Sequence, residues 1–393
     1  MSNWANVALR DVADVFNGKT PSKSEQRSEG HPVLKIRDVS ELGRFRGKHE
    51  SFVDASIAAK YSKKLVRDGD TLILNAAHNA DYVGSKTYRA EPSVFGTLAT
   101  GEWLVIRPLG DKLDASFVHH WITSKSTRAA IRNVVNGIHL YPKDVARLEI
   151  PLPPISEQRR IAALLDQVNA VRAKRREALT QLDSLTRSIF DEMFGDPVTN
   201  PKGWPRKLAG EIGSVVTGNT PSRANPENYG DGIEWIKSDN INTPHYYLTV
   251  AKENLSPIGK SISRTVPSDA ILVTCIAGSP DCIGNAAMTN REVAFNQQIN
   301  AFLPKTGNPH FYYAQIIVGK KLIQEASTGG MKGMVSKGRF ERIGFIVPPC
   351  DLQHEFARLS IRINNHIVAQ RTSLAELDEL FASIQLRAFR GEL

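Results

Sequence analysis

The sequence predicts an α+β fold: two mixed α/β domains separated by two long antiparallel helices that form an intramolecular coiled coil, the whole a pseudo-two-fold internal repeat. Three observations lead there. Residues 156–194 contain neither Gly nor Pro, and apolar side chains recur at Ile161, Leu164, Val168, Val171, Ala178, Leu182, Leu185 and Ile189, the a/d spacing of a heptad seam. That stretch returns at the chain's end at an offset of 195, with Pro153 and Pro154 on Pro348 and Pro349, Gln158 on Gln353, and Phe194 on Phe389. Outside the helices, Gly18–Ser22 returns as Gly218–Ser222, Ile36-Arg37 as Ile236-Lys237, and Asp70–Leu74 as Asp269–Val273, at offsets of 200, 200 and 199. A repeat of this length lies far above solenoid periods, so the chain reads as a duplicated domain.

The expected boundaries are 1–150 for the first module, 151–195 for the central helix, 196–347 for the second module and 348–393 for the last helix. In module 1, Trp4–Phe16 reads as a strand or short helix leading into the Gly18–Ser22 turn. Val33–Val39, Thr71–Leu74 and Glu102–Arg107 are short β-branched or alternating runs and read as strands. Asp114–Asn133 has a helical pattern, Asn136–Pro142 is a loop, and Val145–Ile150 is a closing strand. Module 2 opens after the Pro/Gly-rich joint Gly195–Pro205 and repeats the plan. Its expected strands lie near Ile233–Ile236, Ala270–Thr274 and Asn300–Leu303, with a helix over His310–Ala326, a glycine-rich loop Ser327–Gly338 and a closing strand Ile343–Val347.

Each long helix follows a double proline. Ser156 is placed to cap the first, and the second is expected over Leu352–Arg390. A 39-residue helix extends roughly 58 Å. Its seam cannot be hidden by the helix itself, and the second copy offers Phe356, Leu359, Ile363, Leu377, Leu380 and Ile384 as the complement. Pairing within the chain is the economical solution. Charged residues expected on the outer face include Arg172, Arg176, Arg187, Glu376 and Glu379.

The net charge of +9 is concentrated in the modules: +5 over residues 1–155 and +4 over 196–350, against +1 and −1 for the two helical stretches. A polyanion is a plausible partner for such modules. No apolar run approaches the ~18 residues that span a bilayer, and the N-terminus lacks signal-peptide features. The three cysteines, Cys275, Cys282 and Cys350, have no CxxC spacing and read as free thiols. A cytoplasmic protein is expected, with no membrane partner.

Catalytic motifs are not found. A phosphate loop at Gly18-Lys19-Thr20 would need a glycine where Ala13 stands, and its copy has no lysine. The double prolines lack the Asn/Asp before them and the aromatic after them that an amino-methyltransferase uses. No metal site, nucleophile or paired carboxylate is indicated, so the chain reads as non-catalytic. The suggestive local features are the loops before each closing strand, Asn136–Lys143 and Thr328–Arg339. Glycines let backbone approach a partner closely, and the basic and hydroxyl groups suit phosphates or base edges.

Two variable modules, each followed by a long helix, with Pro153-Pro154-Ile155-Ser156-Glu157-Gln158 at the first junction, resemble the specificity subunits of type I restriction–modification systems. The resemblance covers essentially the whole chain, although Leu352 stands where the first copy has Glu157. It implies that each module is a target recognition domain for one half of a bipartite, asymmetric site in double-stranded DNA. The helices would set the spacer and dock two methyltransferase subunits carrying S-adenosylmethionine. Restriction/translocase subunits would bring ATP- and Mg-dependent cleavage, and this chain would bind none of these cofactors. Type IIB-like or methyltransferase-only systems share the plan, and the competing class is a coiled-coil interaction protein that does not bind DNA.

Candidate DNA-contacting residues follow from side-chain chemistry. Lys19, Ser22, Arg37, Ser222, Arg223 and Lys237 suit phosphates. Asn136, His139, Lys143, Lys332, Ser336, Lys337 and Arg339 suit bases or backbone, and Asn79, Lys86 and Gln297 join them as weaker candidates. The charged helix residues named above are the candidates for subunit docking.

Overall fold

Buried runs of β-branched and aromatic residues build the same four-stranded antiparallel sheet twice in the computed structural model, which describes residues 4–328 and 333–393. The chain folds into two compact units, Met1–Arg176 with Ser373–Leu393, and Glu177–Thr372. Each unit is a module plus one segment of each long helix.

In the first unit the sheet order is Ala13–Asn17, Trp103–Pro108, Thr71–Leu74, Thr87–Arg89. Thr71–Leu74 is buried on both faces, which is why it reads as a continuous apolar run rather than an alternating one. A second sheet joins Gln26–Arg27, Phe52–Val53, His31–Leu34 and Leu98–Ala99, the last pair running parallel. Asn6–Ala8 pairs with the closing strand Glu149–Pro151. The second unit repeats this. Gly213–Thr217, Ile299–Pro304, Ile271–Thr274 and Ala286–Met288 form the main sheet. Asn254–Leu255, Tyr229–Ile236, Val293–Phe295 and Thr265–Val266 form the second, and Arg206–Leu208 pairs with Gly344–Ile346.

Several expectations change in detail: Val145 ends a short helix, Pro142–Val145, and the closing strand is Glu149–Pro151 rather than Val145–Ile150. The strand expected over Val33–Val39 stops at Leu34, and Ile36–Asp38 is a 3-10 turn closed by Asp38 accepting from the Lys35 amide at 2.8 Å. The helix expected over Asp114–Asn133 is two helices, Ala115–Thr123 and Lys125–Val134, because Ser124 caps the second by accepting from Thr127. Its copy likewise divides at Gly319. The long helices run Ile155–Phe194 and Cys350–Phe389. Ser156 therefore lies inside the first turn, where the Pro154 carbonyl already accepts from the Gln158 amide at 3.0 Å.

Strand register also corrects the alignment of the repeats. Ile73 faces Leu104 as Val273 faces Asn300, so Thr71–Leu74 matches Ile271–Thr274 and Asp269 stands in the place of Gly69. Both residues adopt positive φ, +81° for Gly69 and +64° for Asp269, a region that aspartate tolerates better than most residues.

The helix segments pack onto their modules through large side chains. In the first unit Ile161, Ala162, Leu165 and Ala388 join Ile106, Phe117 and Trp121 in one core. Arg172 meets Asp378 while Leu165 shares that core with Ala388, so the two segments run antiparallel. In the second unit Phe190, Phe194, Phe311 and Phe356 form a ring cluster with centroids 4.9–5.7 Å apart for five of its pairs. Each such contact adds about 0.5–1.5 kcal/mol beyond area burial. The expected heptad seam is only partly buried. Val171, Leu185 and Leu380 are 46%, 41% and 49% exposed, because module packing follows Ile161, Ala162 and Leu165 rather than a strict a/d line.

Candidate nucleic-acid interface

In the first unit, loops from four parts of the chain are bonded into one face. The strand Ala13–Asn17 ends in the Gly18–Ser22 turn, where Gly18 donates to Trp103 O at 2.9 Å and Lys19 to Ala99 O at 2.8 Å. A Cβ at Gly18 would collide with the carbonyls of Ala99 and Thr100, so only glycine lets the turn lie this close. The Thr20 hydroxyl accepts from the Gly101 amide at 2.9 Å. The connection after Leu74 is tied on by Asn75, whose amide donates to Glu102 O at 2.8 Å. The loop Asn136–Leu140 closes the face through the Ala76–His139 bridge and the Leu140 amide, which donates to Asn75 O at 2.7 Å.

The second unit assembles the same four parts. Gly218 donates to Ile299 O and Asn219 to Phe295 O, both at 3.1 Å. The Thr220 hydroxyl bonds the Gln297 side chain. Ile276–Ala277 pairs with Gly333–Met334, and Val335 donates to Cys275 O at 2.9 Å. The loop Asn136–Leu140 and the segment Gly333–Val335 therefore occupy equivalent places on one scaffold while carrying different side chains.

The structure gathers some candidate residues at these faces and assigns others elsewhere. Lys19, Asn79, Asn136, His139 and Lys143 lie on the loop cluster or its rim in the first unit. Lys19 approaches the Tyr61 ring at 5.5 Å and Lys143 the Tyr141 ring at 5.9 Å. Asn79 also caps the turn that follows it, accepting from Asp81 at 3.0 Å. Ser22 is exposed and spends its hydroxyl on Glu25 at 2.9 Å, and Arg37 pairs with Glu50 at 3.1 Å. Lys86 is only 7% exposed, donating to Val39 O at 3.0 Å and pairing with Glu41 at 2.7 Å. Its charge ties down the segment after Leu34.

In the second unit Gln297, Ser336, Lys337 and Arg339 are exposed. Ser336 caps the short helix Lys337–Glu341, and Arg339 donates to Ala326 O at 3.1 Å. Lys332 lies outside the described residues. Ser222 accepts at its carbonyl from Asn228 at 2.9 Å. Arg223 and Lys237 converge on one carboxylate: Arg223 donates twice to Glu253, at 2.8 and 2.9 Å, and Lys237 donates at 2.6 Å. These hydrogen bonds, from Arg223 first and Lys237 second, pull the Glu253 carboxyl down to about 2. Both cations lie 4.7 Å from an aromatic ring, Tyr229 for Arg223 and Trp235 for Lys237.

Sequence reasoning missed the apolar members of the first face. Tyr82, Ile138 and Tyr141 are 64%, 43% and 41% exposed. The signal was a tyrosine in each of two turn-rich loops, where an aromatic has no core to fill. It also missed Glu253, which no local pattern connects to Arg223 thirty residues earlier.

On the helices Arg187, Glu376 and Glu379 are exposed, but Arg172 turns inward. It is 15% exposed, bonds Asp378 at 2.5 Å and lies 4.3 Å from the Phe381 ring, and Arg176 bonds the same carboxylate at 2.9 Å. Two of the expected outer-face arginines, Arg172 and Arg176, are thus tied to the other helix segment, because Asp378 stands opposite them. Among the described residues no cluster of His, Cys, Asp and Glu could hold a metal, and no helix is long and apolar enough to cross a membrane. Cys275 is buried, and burial pushes its thiol up to about 12.

A family profile described as "Type I restriction modification DNA specificity domain" matches residues 1–181 and again 201–376. The chain is 26% identical over 199 residues to the type I restriction enzyme HindI specificity subunit of Haemophilus influenzae, spanning 49% of this chain and 42% of that one. It is 19% identical to the putative type I restriction enzyme MjaX specificity subunit of Methanocaldococcus jannaschii, over 100% of this chain and 94% of the relative. Its fold is similar to the type I restriction–modification S subunit from M. genitalium, with a TM-score of 0.61 at 15% identity over 98% and 96% of the two chains.

Proposed function

The chain belongs to the family of type I restriction modification DNA specificity domains, and we propose that it is the sequence-specificity subunit of a type I restriction–modification complex. Each unit reads one half of a bipartite, asymmetric site in double-stranded DNA. The long helices set the spacing of the half-sites and dock two methyltransferase subunits, which carry S-adenosylmethionine. Restriction/translocase subunits, where present, bring ATP and Mg. The chain itself is non-catalytic, works in the cytoplasm and supplies the address.

The observation that carries this reading is the repeated loop cluster: one hydrogen-bonded scaffold twice, with Asn136, His139 and Lys143 at one face and Gln297, Ser336 and Arg339 at the other. Two faces of the same build with different side chains suit two different base sequences. Glycine at Gly18 and Gly218 keeps each turn against its sheet, and the flanking cations suit phosphates.

The test is a titration of duplex DNA with the chain and its methyltransferase partner across salt. Neutralising several phosphates makes log K fall linearly with log salt, by about 0.9 per phosphate. A steep slope and a sequence-dependent component support the proposal. Binding that is absent, or indifferent to both salt and sequence, would contradict it.

A further inference from the structure

The loops of each face are fastened by a buried asparagine, but not by the same one. In the first unit it is Asn75, 4% exposed, whose Nδ2 donates to Gly101 O at 2.8 Å and to Asn17 Oδ1 at 3.0 Å. Its backbone holds the Glu102 and Leu140 loops as described above. One residue thus joins the strand end before the Gly18–Ser22 turn, the 99–102 loop and the 136–140 loop.

In the second unit Cys275 takes the place of Asn75 and repeats its backbone bonds, donating to Gln298 O at 2.8 Å and accepting from Val335 at 2.9 Å. A neutral thiol cannot donate the two strong hydrogen bonds of an amide. The buried amide here is instead Asn300, 1% exposed, whose Nδ2 donates to Val335 O at 2.9 Å while its Oδ1 accepts from the Thr217 hydroxyl at 2.6 Å. Register shows what moved. Asn300 faces Thr217 as Leu104 faces Asn17, so the amide has shifted to the neighbouring strand and its partner has changed from Asn17 to Thr217.

Leu104 demonstrates that an apolar residue fits the Asn300 position of the scaffold, and Cys275 that a small apolar one fits the Asn75 position. Yet each unit keeps one buried amide between the strand end and a neighbouring loop, at Gly101 in the first and at Val335 in the second. A fully satisfied buried polar group fixes one geometry where apolar packing tolerates several. We infer that Asn75 and Asn300 are the positioning residues of the two reading faces, each holding the strand end before its G-x-T-P-S turn against the neighbouring loop. The base-contacting groups then keep a single arrangement, which recognition requires to within about 0.5 Å. This inference rests on the DNA-reading function proposed above.

The experiment uses the full chain with its methyltransferase partner on a randomised duplex library, with the modified motif read by sequencing. Asn75→Leu should blur one half of the motif, lowering discrimination there about tenfold, the scale of one lost base contact, and leave the other half sharp. Asn300→Leu should blur the opposite half. Salt dependence should be unchanged, since no phosphate-facing group is touched. Asn75→Cys should behave as Asn75→Leu, and the triple variant N17T/N75C/L104N, which copies the second unit's wiring, should restore the sharp half. Both halves staying sharp in Asn75→Leu, both blurring together, or a triple variant no better than Asn75→Cys would overturn the inference. A wild-type complex that leaves no motif in the library would instead overturn the DNA-reading proposal itself.

Discussion

Gln158 grips Asp114: its side-chain oxygen accepts the Asp114 amide at 2.8 Å, at the start of the helix Ala115–Thr123, while its Nε2 donates to Pro153 O and Lys112 O at 2.9 Å. Gln353 repeats this with Asn308 at 2.9 Å and Pro348 O at 2.8 Å. Both glutamines are fully buried. This bond set explains why glutamine recurs after each double proline while Glu157 gives way to Leu352. Glu157 only pairs with the exposed Arg160 one turn on, at 2.7 Å.

Replacing Gln158 or Gln353 with Leu leaves a buried amide and carbonyls unpaired, so each change should cost about 1–3 kcal/mol of unfolding free energy. Glu157→Ala should cost less than about 1 kcal/mol, as an exposed pair. Denaturant titration of the three variants checks the order.

The ion pair joining the helix segments gives a second prediction. Asp378→Ala removes the carboxylate that Arg172 and Arg176 share. With Asp378 41% exposed, solvent screening keeps the expected loss to about 1 kcal/mol. A double-mutant cycle with Arg172→Met should show most of that energy as coupling, weakening as salt is raised.

Acid sensitivity in the first unit should have two phases. Burial holds His119 down to about 3, so the folded state keeps it neutral. The unfolded chain takes up the proton first, near its ordinary value of about 6.5, and stability therefore falls as pH drops from about 6.5 towards 3. Asp166 works lower. Burial raises its carboxyl, but hydrogen bonds from His120 and Arg89 outweigh that and bring it down to about 2. Its contribution is complete above about 3.9 and is lost as pH falls through 2. His119→Phe should flatten the upper phase and Asp166→Asn the lower one, read as unfolding midpoints from pH 7 to 2.

On the DNA-reading function proposed above, Glu253 would compete with phosphates for the two cations it pairs, Arg223 and Lys237. It stays ionised at any pH used for binding, so Glu253→Gln should release Arg223 and Lys237 towards phosphates. The expected outcome is tighter non-sequence-specific binding and a salt slope steeper by about one to two. Arg223→Ala should move both quantities the other way.

Much of this fold was legible because duplication makes each pattern count twice. The long helices and the core strands follow from residues that recur, and the equivalence of the two glycine loops from their place before each closing strand. What was not legible depends on partners distant in sequence. The aspartates at 70 and 269 align by letter, yet Asp70 is a buried partner of Arg107 at 2.7 Å, while Asp269 fills a left-handed turn where the first unit has Gly69. Lys86 looked like a DNA contact because lysine is usually exposed, and the Ile36 and Val39 carbonyls and Glu41, more than forty residues away, make its burial possible. Arg172 turned inward for the same kind of reason, with Asp378 some two hundred residues on.

The most direct test of the central claim exchanges residues 200–345 for the equivalent module of another family member and sequences the methylome written by the hybrid with its methyltransferase partner. A new sequence is expected in one half of the bipartite motif, with the other half unchanged. Both halves changing together would contradict it.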